Sequence, residues 1–295
     1  MTYEKAVKVA GVASITAAII LIASKMIAWM LTGSSSILAS LTDSMLDVMT
    51  STLNFLVITY AVRPADNEHR FGHGKAEGIA GLAQAAFIAG SSVLLIVHSL
   101  QRLNTPETIQ HVPFGIAVSV FAILVTFGLL LIQHWVIKHT NSVAIKADHV
   151  HYKGDLLMNL AVIIGLLLPG YGFLSADSLI AIFIGVYLLV SAFQVAKESA
   201  DTLMDREVDE VTQVQIESLA SSHPDVHGVH ALRTRQSGKT LFIQLHIELD
   251  DHLPLVEAHR ITEEIEVRLE TAFPHSDVLL HQDPVSIVKQ GLDRT

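Results

Sequence analysis

Four residues stand out by type and spacing. Asp43 and Asp47 lie four apart in the stretch LTDSMLD, and His151 and Asp155 lie four apart in HVHYKGD. An i, i+4 spacing puts both members of a pair on one helical face. Two such pairs on two helices supply four nitrogen and oxygen ligands, the number a tetrahedral zinc site takes. Both pairs sit inside apolar stretches, where a carboxylate at the middle of a lone membrane helix costs about 2.5–3.5 kcal/mol. The competing explanation is carboxylates salt-bridged to Lys25 or Lys153 for packing, but one Lys per span does not neutralise three carboxylates. A second group, Asp66, His69 and His73, falls within one short polar stretch. A third is spread over the last third of the chain: His230, His246, His259, His281 and Asp283. His281 and Asp283 are two apart, so on a strand they share a face. Beside His230 and His246 they would gather four or five ligands, enough for one or two zinc ions. The chain has 16 His and no Cys, so any metal sits on imidazole and carboxylate rather than thiolate.

The elements that must position these groups follow from composition. Of 295 residues 51% are hydrophobic and only 16% charged, against about 25% charged in an ordinary soluble domain. Residues 1–200 carry 11 acidic and 11 basic side chains, whereas 201–295 carry 18 acidic and 8 basic. The chain is therefore an apolar block followed by an acidic polar domain, which excludes an ordinary cytosolic enzyme. It also disfavours nucleic acid, whose phosphates need a basic face, and suits a cationic partner. A bilayer takes roughly 20 apolar residues at 1.5 Å each. Six stretches qualify: 7–31, 36–62, 79–100, 113–137, 142–169 and 178–196. The run after residue 6 is too long for a signal peptide. Asp43 and Asp47 then lie roughly 10–17 Å from one membrane face, and His151 and Asp155 roughly 13–20 Å from the other. In a hydrocarbon core of about 30 Å the two pairs overlap near the midplane, where transporters hold substrates.

Arg63, Arg70 and Lys75 follow the second stretch, and Lys138 and Lys146 flank the junction after the fourth, whereas 33–35 and 170–174 carry no Lys or Arg. By the positive-inside rule the charged loops are cytoplasmic. Lys5, Lys8 and Lys197 agree, so both termini are expected in the cytoplasm. Beyond residue 205 the periodicity reads helix 208–222, strands 226–235 and 240–250 joined by a turn at 236–238, helix 255–273 and strand 276–283. That αββαβ order makes a small two-layer α+β domain. The expected division is a six-helix membrane domain, 1–205, and a cytoplasmic metal-binding and dimerisation domain, 206–295.

Three segments carry a family resemblance: Gly33 to Asp47 (GSSSILASLTDSMLD), His69 to Glu77 (HRFGHGKAE) and His151 to Asp155 (HYKGD). Together they resemble the signature of the cation diffusion facilitator family over nearly the whole chain. The resemblance implies a polytopic α-helical membrane protein with six transmembrane helices and a metallochaperone-like cytoplasmic tail. It implies a homodimer in a bacterial inner membrane that exchanges cytoplasmic Zn2+ for H+, with Fe2+ or Cd2+ as further candidate cargo. Carried over by motif, Asp43, Asp47, His151 and Asp155 form the transport site and Asp66, His69 and His73 a loop site. His230, His246, His259, His281 and Asp283 line a two-ion site on the tail. Lys75 and Asp205 match an interlock between protomers.

Exchange has a physical basis in such a site. Zinc needs deprotonated carboxylates and neutral imidazole, so protons compete for the same groups, and an imidazole ordinarily titrates near pH 6.5. No ATP-binding motif is present, and the expected protein is a secondary transporter rather than an enzyme. Two rivals remain: a membrane-anchored zinc sensor, which needs no mid-membrane charge, and an intramembrane metallohydrolase, which needs an open metal position and a separate general base.

Overall fold

A computed structural model describes residues 2–33, 35–104, 112–167 and 176–289; at Asp43 it describes the helical backbone but not the side chain. Two compact units result, Met1–Ala200 and Asp201–Thr295.

The first unit is helical: α1 (Tyr3–Thr32), α2 (Ser35–Ala61), α3 (Ala76–Asn104), α4 (Val112–Thr140), α5 (Val143–Leu167) and α6 (Ala176–Leu203). The sixth helix runs seven residues past the expected end at 196, into polar sequence that apolarity alone does not reveal. The outer connections expected near 103–112 and 170–174 fall almost entirely outside the described residues. Four segments are long and apolar enough to cross a membrane by length and composition: Tyr3–Leu31, Ala76–Gln101, Pro113–Thr140 and Ser178–Leu203. The other two helices, α2 and α5, have 27 and 25 residues, enough at 1.5 Å each to span about 30 Å. They carry the candidate ligands Asp47, His151 and Asp155.

This unit has an apolar exterior and a mixed interior, in which polar groups lie among apolar clusters. Ile27, Leu94, Leu124, Phe183 and Phe193 are exposed, whereas Ser14, Ser44, Ser51, Asn54, Gln133, Asp148 and His151 are buried. An apolar exterior with polar groups confined to the interior is what a hydrocarbon solvent selects. Close approach is needed beside the ligands: a Cβ on Gly154, between His151 and Asp155, would lie 2.8 Å from Leu188 on α6. A second tie lies where α3 begins. Buried Glu77 accepts from Tyr3 Oη at 2.6 Å and from Ser142 Oγ at 2.5 Å, joining α1, α3 and the start of α5.

The second unit continues with α7 (Glu210–Ser221), β1 (Gly228–Ser237), β2 (Thr240–Leu249), α8 (Leu255–Ala272), β3 (Ser276–Pro284) and a five-residue α9 (Val285–Lys289). Asp209 caps α7 by accepting from the Thr212 amide at 3.0 Å. The hairpin turn is Gly238–Lys239, with Gly238 at φ 57°. It lies one residue beyond the turn expected from sequence, because Gln236 and Ser237 still pair with β2. The short α9 was not anticipated; five residues carry too little periodicity to read. Strand order is β1-β2-β3, with β1 and β2 antiparallel and β2 and β3 parallel, the parallel step being closed by α8. Ile243, Leu245, Ile247 and Leu249 of β2 pack with Ile216 of α7 and with Ile261, Ile265 and Leu269 of α8. Alternation therefore turns Gln244, His246 and Glu248 to the sheet face away from the helices.

Candidate metal centres

In the membrane unit α2 and α5 bring Asp47, His151 and Asp155 together. His151 Nε2 lies 3.1 Å from Asp47 Oδ1 and 3.7 Å from Asp155 Oδ2. Ligands about 2.0–2.1 Å from a tetrahedral zinc lie about 3.3–3.4 Å from one another, so these atoms bracket the spacing one ion requires. Asp43 is one turn before Asp47 on α2, but its side chain lies outside the described residues. His151 is 8% exposed and has the edge of Phe87 from α3 against its ring. Lys25 and Lys153 are engaged elsewhere: Lys25 Nζ donates to Ser44 Oγ at 2.7 Å and to the Ser40 carbonyl at 3.2 Å, and Lys153 lies over the Tyr187 ring. Among the described residues neither forms an ion pair with Asp47, although Lys25 acts electrostatically on Asp155.

The loop group also converges. Asp66 Oδ1 accepts from the amides of Glu68 at 2.9 Å and His69 at 2.7 Å, an Asx-type turn. That leaves Oδ2 3.3 Å from His73 Nε2, while His69 Nδ1 is 3.5 Å from Oδ1. The His69 amide, helped by that of Glu68 and by the two histidines, holds the Asp66 carboxyl below its usual range. A depressed value means that this contribution to loop order is present above the ordinary carboxylate range and is lost as pH falls through the lowered one. Tyr60, which the sequence did not single out, stacks edge-on against His73 with centroids 4.6 Å apart and carries Arg63 over its ring.

On the tail, register builds the site. His230 pairs with His246 and His246 with His281, placing three imidazoles in one row across the sheet. Asp283 serves all three: its Oδ2 is 2.6 Å from His246 Nδ1 and 3.4 Å from His230 Nε2, and its Oδ1 is 3.3 Å from His281 Nε2. Two oxygens facing different imidazoles are the chemistry of a carboxylate that can bridge two ions. His259 does not join this group; it is exposed on α8, which covers the opposite sheet face. Glu248 does join, unforeseen, with Oε1 3.2 Å from His230 Nδ1. The signal was available, since Glu248 is two residues after His246 and so shares its face. Its room comes from Gly228, where a Cβ would lie 2.5 Å from Glu248 Oε1.

Lys75 immediately precedes α3, and Asp205 follows α6 at φ 56° with its carboxylate 3.6 Å from Arg235. They belong to separate units.

Residues 11–204 match the cation efflux transmembrane domain, and residues 208–285 match the cation efflux protein cytoplasmic domain. The chain belongs to the cation efflux family. It is 48% identical over 289 residues to the cation-efflux pump FieF of Serratia proteamaculans, covering 98% of this chain and 96% of that protein. Against the cation-efflux pump FieF of Shewanella oneidensis it is 47% identical over 285 residues, covering 97% and 96%. A solved zinc form of CzrB covers 28% of this chain and 94% of its own at 27% identity, with a TM-score of 0.27. Membership makes this a bacterial membrane protein of metal cation efflux, and a transporter family rather than an enzyme family. The resemblance carried by GSSSILASLTDSMLD, HRFGHGKAE and HYKGD therefore points to the right family.

Proposed function

We propose that this cation efflux protein exports Zn2+ from the cytoplasm in exchange for H+, working as a homodimer with both termini inside. The observation that carries the reading is the convergence of Asp47, His151 and Asp155 on two membrane helices, with both carboxylates within 3.7 Å of the His151 ring nitrogen. Asp43, one turn before Asp47 on the same helix, completes the donor set. Zinc as substrate takes the deprotonated carboxylates and the neutral imidazole; protons take the same atoms when it leaves. Alternate exposure of one site to the two sides then couples the fluxes without ATP. The loop site of Asp66, His69 and His73 lies on the charged, cytoplasmic side. The tail site of His230, His246, His281 and Asp283 senses or stores zinc there, with Lys75 and Asp205 interlocking protomers.

The test is purified protein in sealed vesicles with a zinc-sensitive dye inside. An opposing pH gradient is expected to accelerate zinc entry severalfold, and collapsing it with a protonophore to remove the acceleration. Zinc flux indifferent to the gradient would end the antiport reading.

Metal choice follows from the single nitrogen. Imidazole suits zinc, whereas all-oxygen sites suit harder cations such as Mn2+. His151→Asp is expected to lower the preference for Zn2+ over Mn2+ and to change the pH profile of transport, because a group that is cationic when protonated is replaced by one that is neutral when protonated. Uptake of both metals between about pH 5.5 and 7.5 checks it. Unaltered preference and profile would move selectivity and coupling onto the carboxylates.

A further inference from the structure

One membrane-embedded carboxylate is not used by any of these metal centres. Asp148 lies on α5 three residues before His151 and is fully buried. Its Oδ2 accepts from Ser14 Oγ of α1 at 2.6 Å and from Gln133 Nε2 of α4 at 2.8 Å. Its Oδ1 is buried without a hydrogen-bond partner, and so is Gln133 Oε1. Gln133 Nε2 also reaches Ser14 Oγ at 3.1 Å, so one oxygen of the carboxylate is served by a closed neutral network and the other by nothing. If helix packing were the whole purpose, an amide would serve α1 and α4 without the cost of placing an ionisable group in hydrocarbon. A vacant oxygen on such a group is a place for a proton.

The electrostatic surroundings say when that proton is held. Asp47 from α2 and His151, Tyr152 and Asp155 from α5 itself are the titratable groups that act on or feel Asp148. Among the described residues, its hydrogen-bond partners from α1 and α4 are the neutral Ser14 and Gln133. At 1.5 Å per residue Asp148 is roughly 4.5 Å along the helix from His151 and roughly 10 Å from Asp155. Whatever charge occupies the Asp47–His151–Asp155 site therefore acts on it through a medium that screens poorly.

We propose that Asp148 is a proton-binding site of the transport cycle, separate from the metal ligands. This rests on the proton-coupled reading above and adds a residue to it. With the metal site empty, its carboxylates repel a further anion and Asp148 holds a proton on Oδ1. When a dication arrives, that O–H bond breaks, the electron pair stays on the carboxylate and the proton passes to water. The Ser14 and Gln133 donors then support the anion at Oδ2. Linkage is reciprocal, so reprotonation of Asp148 weakens the metal by the same factor.

The experiment is calorimetric zinc titration of the full-length protein in two buffers of different ionisation heat, across about pH 6 to 8. Loop and tail sites contribute equally to wild type and Asp148→Asn, so the difference isolates the membrane unit. Asp148→Asn is expected to keep binding zinc at the membrane site, to release up to one proton fewer per protomer, and to show a flatter dependence of affinity on pH. An unchanged proton count and slope would overturn the proposal, and so would loss of membrane-site zinc binding, which would make Asp148 a ligand or a strut. If wild type releases no more protons than Asp155→Ala, the antiport reading fails instead. Should Asp148→Asn not be recovered folded, Gln133→Leu keeps the carboxylate and removes one donor. The proposal then requires the pH midpoint of zinc binding to move by about half a unit or more, and a fixed midpoint overturns it.

Discussion

Asp47→Ala or Asp155→Ala is expected to cut metal transport at least about 100-fold while leaving the protein folded. The scale follows from second-shell partners of metal ligands, whose loss already costs about 10–100-fold; a direct anionic ligand should cost no less. The three ligating groups meet at one nitrogen: with Asp47 gone, His151 loses the contact at 3.1 Å, and with Asp155 gone, the one at 3.7 Å. Folding should survive, because deleting a charge from a membrane helix removes a desolvation cost. Both substitutions also spare the hydrogen bonds among Ser51, Tyr152, Ser14 and Asp148 that tie α1, α2 and α5. Zinc uptake into vesicles, with size-exclusion behaviour as the folding control, is the measurement. Near wild-type uptake by either variant would remove these residues from the transport site.

A fragment from Arg206 to the C-terminus is expected to fold alone and to be stabilised by zinc through Asp283. It has a core of its own, in which Ile216, Ile243, Ile247, Ile261, Ile265 and Leu269 are completely buried. Zinc at about 100 times its dissociation constant adds roughly 2.7 kcal/mol, which raises the melting temperature of a domain this small by roughly 10–20 °C. Asp283→Ala removes the carboxylate that faces His230, His246 and His281 together and should abolish most of that rise. Melting with zinc and with chelator, in both versions, decides it; an equal rise in the variant would dissolve the proposed tail site. Acid should also weaken the fragment. The Thr212 side chain and amide hold the Asp209 carboxyl below its usual range, and the His223 side chain does the same for Glu264, aided by Arg260. Both groups have depressed folded values, so their contributions are present above the ordinary carboxylate range and lost as pH falls through the lowered values.

Local features were legible in the residues themselves. Apolar length alone counted six helices, because the bilayer demands a length that no soluble element needs. The i, i+4 spacings of Asp43 with Asp47 and His151 with Asp155 placed each pair on one face, since helical periodicity is set by the neighbouring few residues. The order αββαβ was readable for the same reason. What required the tertiary structure was everything that depends on how one element is rotated or registered against another. His259 belonged with the other tail histidines by residue type, yet α8 packs on the opposite sheet face and carries it away from them. Strict alternation from Arg233 and Arg235 would put His230 on the other face. A bulge between His230 and Arg233, with Ala231 at φ 52°, inserts one residue and returns His230 to the row of His246 and His281. Alternation puts Glu248 on the face of His246, but its contact with His230 came only with the antiparallel pairing of β1 and β2. Asp148 shares its helix with His151 and Asp155, and only the packing of α5 against α1 and α4 gives it Ser14 and Gln133 as partners. Periodicity is a property of a few adjacent residues, whereas register and rotation are settled by packing between residues far apart in sequence, as where Gly154 admits Leu188.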